Sequence, residues 1–461
     1  MAIAPVVSND LKKAYHALQN KQAPYRLLWD YYDGNQPLQY ATRRMEQVFN
    51  KLDAKWNENW AAVVVDSVVD RMNITGFSIK DTSAKKILDA VWAGQNAGLD
   101  ADRIHKAVAV CGEGYLIVSR DELNGAINMF ANRPHLVHAF YSDDNPKEME
   151  YAAKWWEVRD ETHLTIYYND HFEYYTAKGH RNDFTDPGAF RLDPEIPFED
   201  NPYGQIPVFH FCVDTERVLG ELTNVIPLNN AINKLFADEM VAAEYGAFKQ
   251  RYIVSNADTA HLMNGPNEIW EIPGGTSGEE ATQIGQFEAT DLANYSNAIN
   301  DIAGKIAVIT RTPKHYLLQT GNDVSGEALL AMEAPLIKKV AKYNQRAEIT
   351  WSEVASFILR LSGHTVSKEE IKIIWSDERT LQPLMESQSH KTNVEAGMPL
   401  VTQLRREGWS DDQLELMQKD KDELKAEMTT MGDLVTEKVQ SKFSQGTPAE
   451  TAPYVQQAQI P

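Results

Sequence analysis

DLANYSNAINDIAGKIAVIT (291–310), RTPKHYLLQTGNDV (311–324) and SGEALLAMEAPLIKKVAKYNQRAEITWSEVASFILRLSG (325–363) form one continuous run. In the first segment Leu292, Tyr295, Ile299, Ile302, Ile306 and Ile309 recur at alternating steps of three and four. That seven-residue repeat predicts a helix of about five turns with one narrow apolar stripe. Pro313 ends it, because proline lacks an amide proton and pushes the residue before it out of the helical region. Ser325 is a good N-cap for the next helix, with Glu327 in the first turn to suit the dipole. Its apolar positions are Leu329, Met332, Leu336, Val340, Tyr343, Ala347, Trp351, Val354, Ile358 and Leu361, closed by Gly363. A helix of that span approaches roughly 60 Å, with a kink expected at Pro335. On pattern alone the pair is equally a helical hairpin inside a core.

At 461 residues the chain exceeds one ordinary core, so two to four domains are expected. Lys plus Arg number 45 against 66 Asp plus Glu, a formal charge of −21. Such a surface does not attract DNA in general, since phosphate binding needs clustered cations. It can let DNA pass without sticking if acidic groups line a passage, though simple solubility explains it as well. The two cysteines, Cys111 and Cys212, sit in apolar contexts and read as small buried residues, with no disulfide framework or zinc spacing. No run approaches the ~18 apolar residues of a membrane span, and no secretory pattern opens the chain. The expectation is an intracellular or particle-bound protein.

Outward from the opening run, residues 8–33 read as a helix capped by Ser8 and interrupted by Pro24, followed by a turn at Tyr31-Tyr32-Asp33-Gly34. Helices are expected from Trp60 to Met72 and over 82–110. From 115 to 212 the period becomes two, with strands at 115–118, 136–141, 152–158, 163–168 and 171–175. Their short connections predict an antiparallel meander. Residues 179–207 read as a long loop, 217–249 as helix, 251–288 as short strands and turns, and 371–375 as a small strand. Helices follow at about 386–406 and 410–430, and 444–461 read as a flexible tail.

Nothing in the sequence reads as catalytic machinery. Gly274-Gly275-Thr276-Ser277-Gly278 has no lysine and cannot be a P-loop. His135 and His138, three apart on an extended segment, point to opposite faces and do not suggest a metal site. No cofactor is implied. The local charge inverts around Lys305, Arg311, Lys314 and His315. Either these cations complement a helix C-terminus, or they contact something anionic.

Taken in order, several short pieces are familiar. They are Tyr31-Tyr32-Asp33-Gly34, Asn59-Trp60 with Val65-Asp66, Asp70-Arg71, Gly76-Phe77, and Asn201-Pro202-Tyr203-Gly204 with Ile206-Pro207. Further on stand Ile226-Pro227-Leu228-Asn229 with Asn233, Glu244-Tyr245-Gly246-Ala247-Phe248, and Asp291-Leu292. Last come Thr312-Pro313 with Tyr316-Leu317, and Asn322-x-Val324-Ser325-Gly326-Glu327-Ala328-Leu329. In this set the chain resembles the portal proteins of tailed bacteriophages, in the subgroup common in long-tailed phages of Gram-positive hosts.

The resemblance implies an α+β portal fold assembled as a ring of about twelve subunits at one capsid vertex. It divides the chain into a β-rich wing (1–215), a stem helix (216–250), a strand-rich clip (251–288) and a second stem helix (289–310). A tunnel loop (311–324), a long kinked helix with a wing return (325–379), a helical crown (380–443) and the tail (444–461) follow. The DNA-facing residues of the tunnel loop would be Arg311, Lys314, His315, Gln319 and Asn322, on a segment with few packing partners. The stem seam would be Leu292, Tyr295, Ile299, Ile302, Ile306 and Ile309. The implied partners are double-stranded DNA, the terminase large subunit, a head–tail adaptor, and the major capsid and scaffolding proteins, with no membrane. The implied location is the virion, after assembly in the host cytoplasm. The portal itself is not an enzyme; the terminase hydrolyses ATP. Two other classes stay open: another ring-forming head–tail structural protein, and an intracellular α+β enzyme without a recognised motif.

Overall fold

Ser8 accepts a hydrogen bond from the Leu11 amide (3.0 Å) and opens helix α1 (Asn9–Tyr32). Pro24 lies inside α1 without ending it. The helix is held on both sides of the proline: Leu11, Ala14, Tyr15 and Leu18 pack on a sheet, and Tyr31 packs in a helical core. The burial outweighs the hydrogen bond that proline cannot make. The computed structural model describes residues 8–37, 57–214, 217–247, 251–254, 283–288, 291–318, 326–376, 391–393, 395–406 and 414–425. The 274–278 turn, Gln319, Asn322, Ser325 and the 444–461 tail lie outside the described residues. The chain divides into two compact units, Met1–Glu378 and Arg379–Pro461.

In the first unit, helix α2 (Trp60–Val69) is capped by the Asn59 side chain, and strand β1 (Ile74–Ser78) follows. The single helix expected over 82–110 is two, α3 (Thr82–Gly94) and α4 (Ala97–Cys111). Asn96 separates them in the left-handed conformation (φ 51°), which asparagine tolerates better than most residues. Next come β2 (Glu113–Arg120), β3 (Ile127–Asn132), β4 (Val137–Tyr141), β5 (Met149–Val158), β6 (Glu161–Tyr167) and β7 (His171–Lys178). The expected loop over 179–207 contains two short strands, β8 (Arg191–Leu192) and β9 (Phe198–Asp200), before β10 (Val208–Cys212).

The single meander is therefore corrected to two antiparallel sheets. One has the order β10-β2-β3; the other runs β4-β5-β6-β7-β8, with β9 also on β7. The division follows from burial on both faces. Tyr151, Ala153, Trp155, Leu164 and Ile166 face α1, whereas Val137, Ala139 and Ala152 face Tyr115, Ile117 and Val208 of the smaller sheet. Cys111 is buried, and Cys212, at the end of β10, is only half-buried.

A one-turn 3-10 helix (Glu221–Asn224) leads into α5 (Ile226–Ala247). Gly220 is required where this lead-in crosses the α4–β2 junction: a Cβ there would lie 2.1 Å from the Val110 carbonyl oxygen. Strands β11 (Arg251–Val254) and β12 (Gln283–Gln286) pair antiparallel. Helix α6 (Ala293–Thr310) returns along α5, with the Ser296 hydroxyl donating to Glu239 (2.9 Å). A one-turn helix α7 (Lys314–Leu317) precedes the 36-residue α8 (Gly326–Leu361), which runs through Pro335. Strand β13 (Lys372–Trp375) then pairs with β1, Phe77 opposite Ile373. Trp351, Val354 and Ile358 of α8 share one core with Leu88 of α3, Phe211 of β10 and Ile373 of β13.

In the second unit, α9 (Leu400–Arg406) and the stretch 414–425 are helical. Among the described residues no helix is long and apolar enough to cross a membrane.

Candidate functional site

The region between α6 and α8 carries the candidate site, and its base is built from the end of α6, the 3-10 helix at Glu221–Asn224 and α8. At the end of α6 the Thr310 hydroxyl donates back to the Ile306 carbonyl (2.8 Å) and meets the Thr312 hydroxyl at 2.9 Å. Arg311 adopts a left-handed φ of 59°, which turns the chain out of the helix. Lys339 of α8 donates to the Thr310 carbonyl (2.6 Å) and to the Glu221 carboxylate (3.0 Å). Tyr343, one turn further along α8, donates to the other Glu221 oxygen (2.8 Å). A buried ammonium thus meets the negative end of the α6 dipole and its unpaired carbonyl together. Burial holds the Lys339 amine below its ordinary range, with the Glu221 carboxylate acting in the opposite direction.

A second clamp holds α7. Arg71, just past α2, donates to the Tyr316 hydroxyl (2.7 Å), and that hydroxyl donates to Glu333 of α8 (3.3 Å). The Arg71 guanidinium is also 3.6 Å from Glu333 and lies over the Tyr316 ring at 5.8 Å. His315 sits 3.7 Å from the same carboxylate. Thr312, Pro313 and Leu317 are buried, Leu317 in the core formed by α2, α4 and α6.

The expectation of a loosely packed segment from 311 onward is therefore corrected for 311–318. The apolar residues of Pro313 to Leu317 have a core to enter, and Arg71 and Glu333 satisfy the polar ones. Arg311 and Lys314 remain exposed. His315 is half-buried against Glu333 rather than open, and Lys305 pairs with Asp301 at 2.8 Å.

On α6 the residues of the expected seam divide by exposure within the single chain. Ile306 is fully buried, Tyr295, Ile299 and Ile302 are half-buried, and Leu292 (36%) and Ile309 (53%) are exposed. The buried face instead runs through Ile299, Ile302, Ala303, Ile306, Ala307 and Thr310. The three-residue step from Ile306 to Ile309 falls about 60° short of a full turn and carries Ile309 off the buried face, whereas Leu292 precedes the first helical residue, Ala293.

The short motifs fasten the base of α5 to the rest of the unit. Tyr31 donates to Asn230 (2.8 Å), the Trp60 amide donates to Asn229 (3.2 Å), and the Glu58 amide donates to Asn233 (2.7 Å). Asn201 donates to the carbonyls of Tyr168 (2.8 Å) and Gln205 (2.9 Å). Sequence reading missed Lys339, Glu221 and Glu333. One signal was available, a lysine inside the apolar stripe between Leu336 and Tyr343. Arg71 stood among the motif residues with its role unread. His135 and His138 are half-buried and held largely neutral by desolvation, with pKa values of about 4 and about 3. Among the described residues no group of side chains is arranged to hold a metal ion.

The first unit is an α+β fold whose two long helices, α6 and α8, are tied at their junction through Glu221, Lys339, Arg71 and Glu333. Residues 11–427 match the family described as phage portal protein, SPP1 Gp6-like. The match takes in most of the chain, and the chain belongs to this family of tailed-bacteriophage portal proteins. The portal protein of Mycobacterium phage D29 is 26% identical over 353 residues, 68% of each chain. That of Mycobacterium phage L5 is 35% identical over 102 residues, 21% of each. Among solved structures, a chain of the virion of a native gene transfer agent particle aligns with a TM-score of 0.45 and 12% identity, covering 78% of this chain and 91% of that one. A chain from the neck of the native particle, computed with C12 symmetry, gives 0.44 and 13%, with the same coverage.

Proposed function

We propose that about twelve copies of this chain close into a ring at one capsid vertex, through which double-stranded DNA is packaged and later ejected. In this reading 1–215 with part of 325–379 form the wing, α5 and α6 the stem, and 251–288 the clip on which the terminase large subunit docks. Residues 380–443 form the crown. The head–tail adaptor, the major capsid protein and the scaffolding protein meet the ring from outside. The chain supplies the channel, and ATP hydrolysis belongs to the terminase.

Beyond family membership, one observation carries the reading. α6 buries one face against its own chain and leaves Val308 (67% exposed) and Ile309 (53%) open on another. A stem helix wedged between its own subunit and the next needs two such faces. Arg311 and Lys314, exposed at the clamped end of α6, are the proposed phosphate contacts, with Gln319 and Asn322 further along the same segment. Each contact is weak, salt-dependent and quickly broken.

Negative-stain microscopy of the purified chain tests the ring; a stable monomer under all salt conditions overturns it. Arg311→Ala with Lys314→Ala tests the contacts: rings and prohead incorporation stay unchanged while the length or yield of packaged DNA falls. Full genomes packaged at the normal rate would remove these two side chains from the mechanism.

A further inference from the structure

A cleft of about 370 Å³ opens where the larger sheet, β10 and α8 meet. Its floor combines the buried rings of Phe357 and Phe209 with Ile206 and Met149, and polar Gln205, His210 and Ser356 line it as well. Its rim is cationic: Lys147 in the β4–β5 turn, Arg360 on α8 and Lys368 before β13 stand against the single carboxylate of Glu353. Lys368 already neutralises Glu353 at 2.7 Å. Arg360 lies over the Phe357 ring at 5.2 Å, its guanidinium fixed by the Tyr203 carbonyl at 3.3 Å. In a chain of net charge −21, this is a concave site for something both acidic and apolar. Its volume is at the lower end for ligand pockets and suits a few side chains, not a duplex.

The same chain presents a segment with that chemistry. Between β8 and β9 runs Asp193-Pro194-Glu195-Ile196-Pro197, with Ile196 (56%) and Phe198 (53%) exposed. Asp193 accepts hydrogen bonds from the amides of Glu195 (2.9 Å) and Ile196 (3.1 Å), and two prolines restrict the flanks. An apolar, acidic loop fixed in this way loses little freedom when it docks. The loop is tied to β7 at both ends: Tyr174 donates to the Pro197 carbonyl (3.1 Å), and Asp193 donates to that of Tyr174 (2.9 Å). At Tyr174 that is about 16 Å along the strand from Asn169 at the cleft rim, which holds Ile196 on its own sheet edge, while Phe198 pairs with Glu173 and its ring lies 6.4 Å from that of His171.

We infer that the 193–198 loop of one copy docks in the α8 cleft of the next copy, with Ile196 and Phe198 entering the cleft and Glu195 among Lys147, Arg360 and Lys368. Two different surfaces meeting in this way make a heterologous contact, the kind that closes into a ring. The inference rests on the ring reading above and adds to it a specific contact between wings.

The test uses full-length chain. Lys147→Glu with Arg360→Glu raises the concentration needed for ring formation at least tenfold in light scattering, with the far-ultraviolet circular dichroism spectrum unchanged. Adding Glu195→Lys restores part of the loss. Independently, Lys147→Cys with Glu195→Cys gives an intermolecular disulfide ladder on mild oxidation, and neither single variant does. Wild-type chains that never associate overturn both readings. Wild-type rings that tolerate the double charge reversal, or that yield no ladder from the cysteine pair, overturn the cleft contact alone.

Discussion

Lys339→Met asks whether one buried ammonium fixes the end of α6. Methionine keeps the unbranched apolar stem and removes the charge. The Lys339 and Glu221 side chains are only 10% and 14% exposed. Without the ammonium, Glu221 keeps only the Tyr343 hydroxyl, and the Thr310 carbonyl loses its partner. Removing one member of a buried pair costs about 3–5 kcal/mol, and a cation at a helix C-terminus contributes up to about 2 kcal/mol. The two overlap at one atom, so the expected loss is about 3 kcal/mol. Urea unfolding followed by tryptophan fluorescence measures it, at fixed protein concentration because assembly shifts apparent stability. Glu221→Gln leaves the ammonium with the Thr310 carbonyl and a neutral amide, and is expected to cost about 2 kcal/mol. The double variant then costs less than the sum by about 2 kcal/mol, since each single change strands the other's partner. Additivity within about 0.5 kcal/mol would refute the coupling. So would an unchanged rate of proteolysis at 311–318 in Lys339→Met.

Three further outcomes are expected. Burial keeps folded His138 neutral down to about pH 3, whereas an unfolded histidine titrates near ~6.5. The unfolded state therefore binds the proton first and stability falls as pH drops through that window; His138→Phe flattens the decline in melts taken at pH 7, 5.5 and 4. Gly220→Ala places a Cβ 2.1 Å from the Val110 carbonyl oxygen, so it costs about 2 kcal/mol or more, seen as a lowered melt or a loss of soluble protein. Tyr316→Phe removes the hydroxyl between Arg71 and Glu333 for about 1 kcal/mol, and hydrogen exchange over 311–318 speeds up while that of α1 does not.

The candidate site was partly legible. The α6 repeat, Pro313 as its end and the long α8 pattern can be read directly, because helical periodicity and proline geometry are local properties. The cations near 311 were visible as residues, but their partners were not. Whether His315 faces open space or Glu333 depends on the return of α8 past α7, an event between segments. Arg71 reaches Tyr316 across 245 positions, a distance that no window along the sequence spans.

The sequence by itself determined the α+β class, the Ser8 cap, most strand positions and, through the ordered short motifs, the family. Those are consequences of backbone preference and of which residues repel water. Only the tertiary structure decided that the strands separate into two sheets, since β4 and β5 carry apolar residues on both faces and alternation cannot say which face meets what. It alone paired β1 with β13, because the register across that gap is set by the core that Phe77 and Ile373 share. It also parted Ile306 from Ile309 on α6. A repeat of seven in sequence and a turn of 3.6 residues in space do not coincide, and which of those side chains is covered follows from where α5 and the core of α2 and α4 lie.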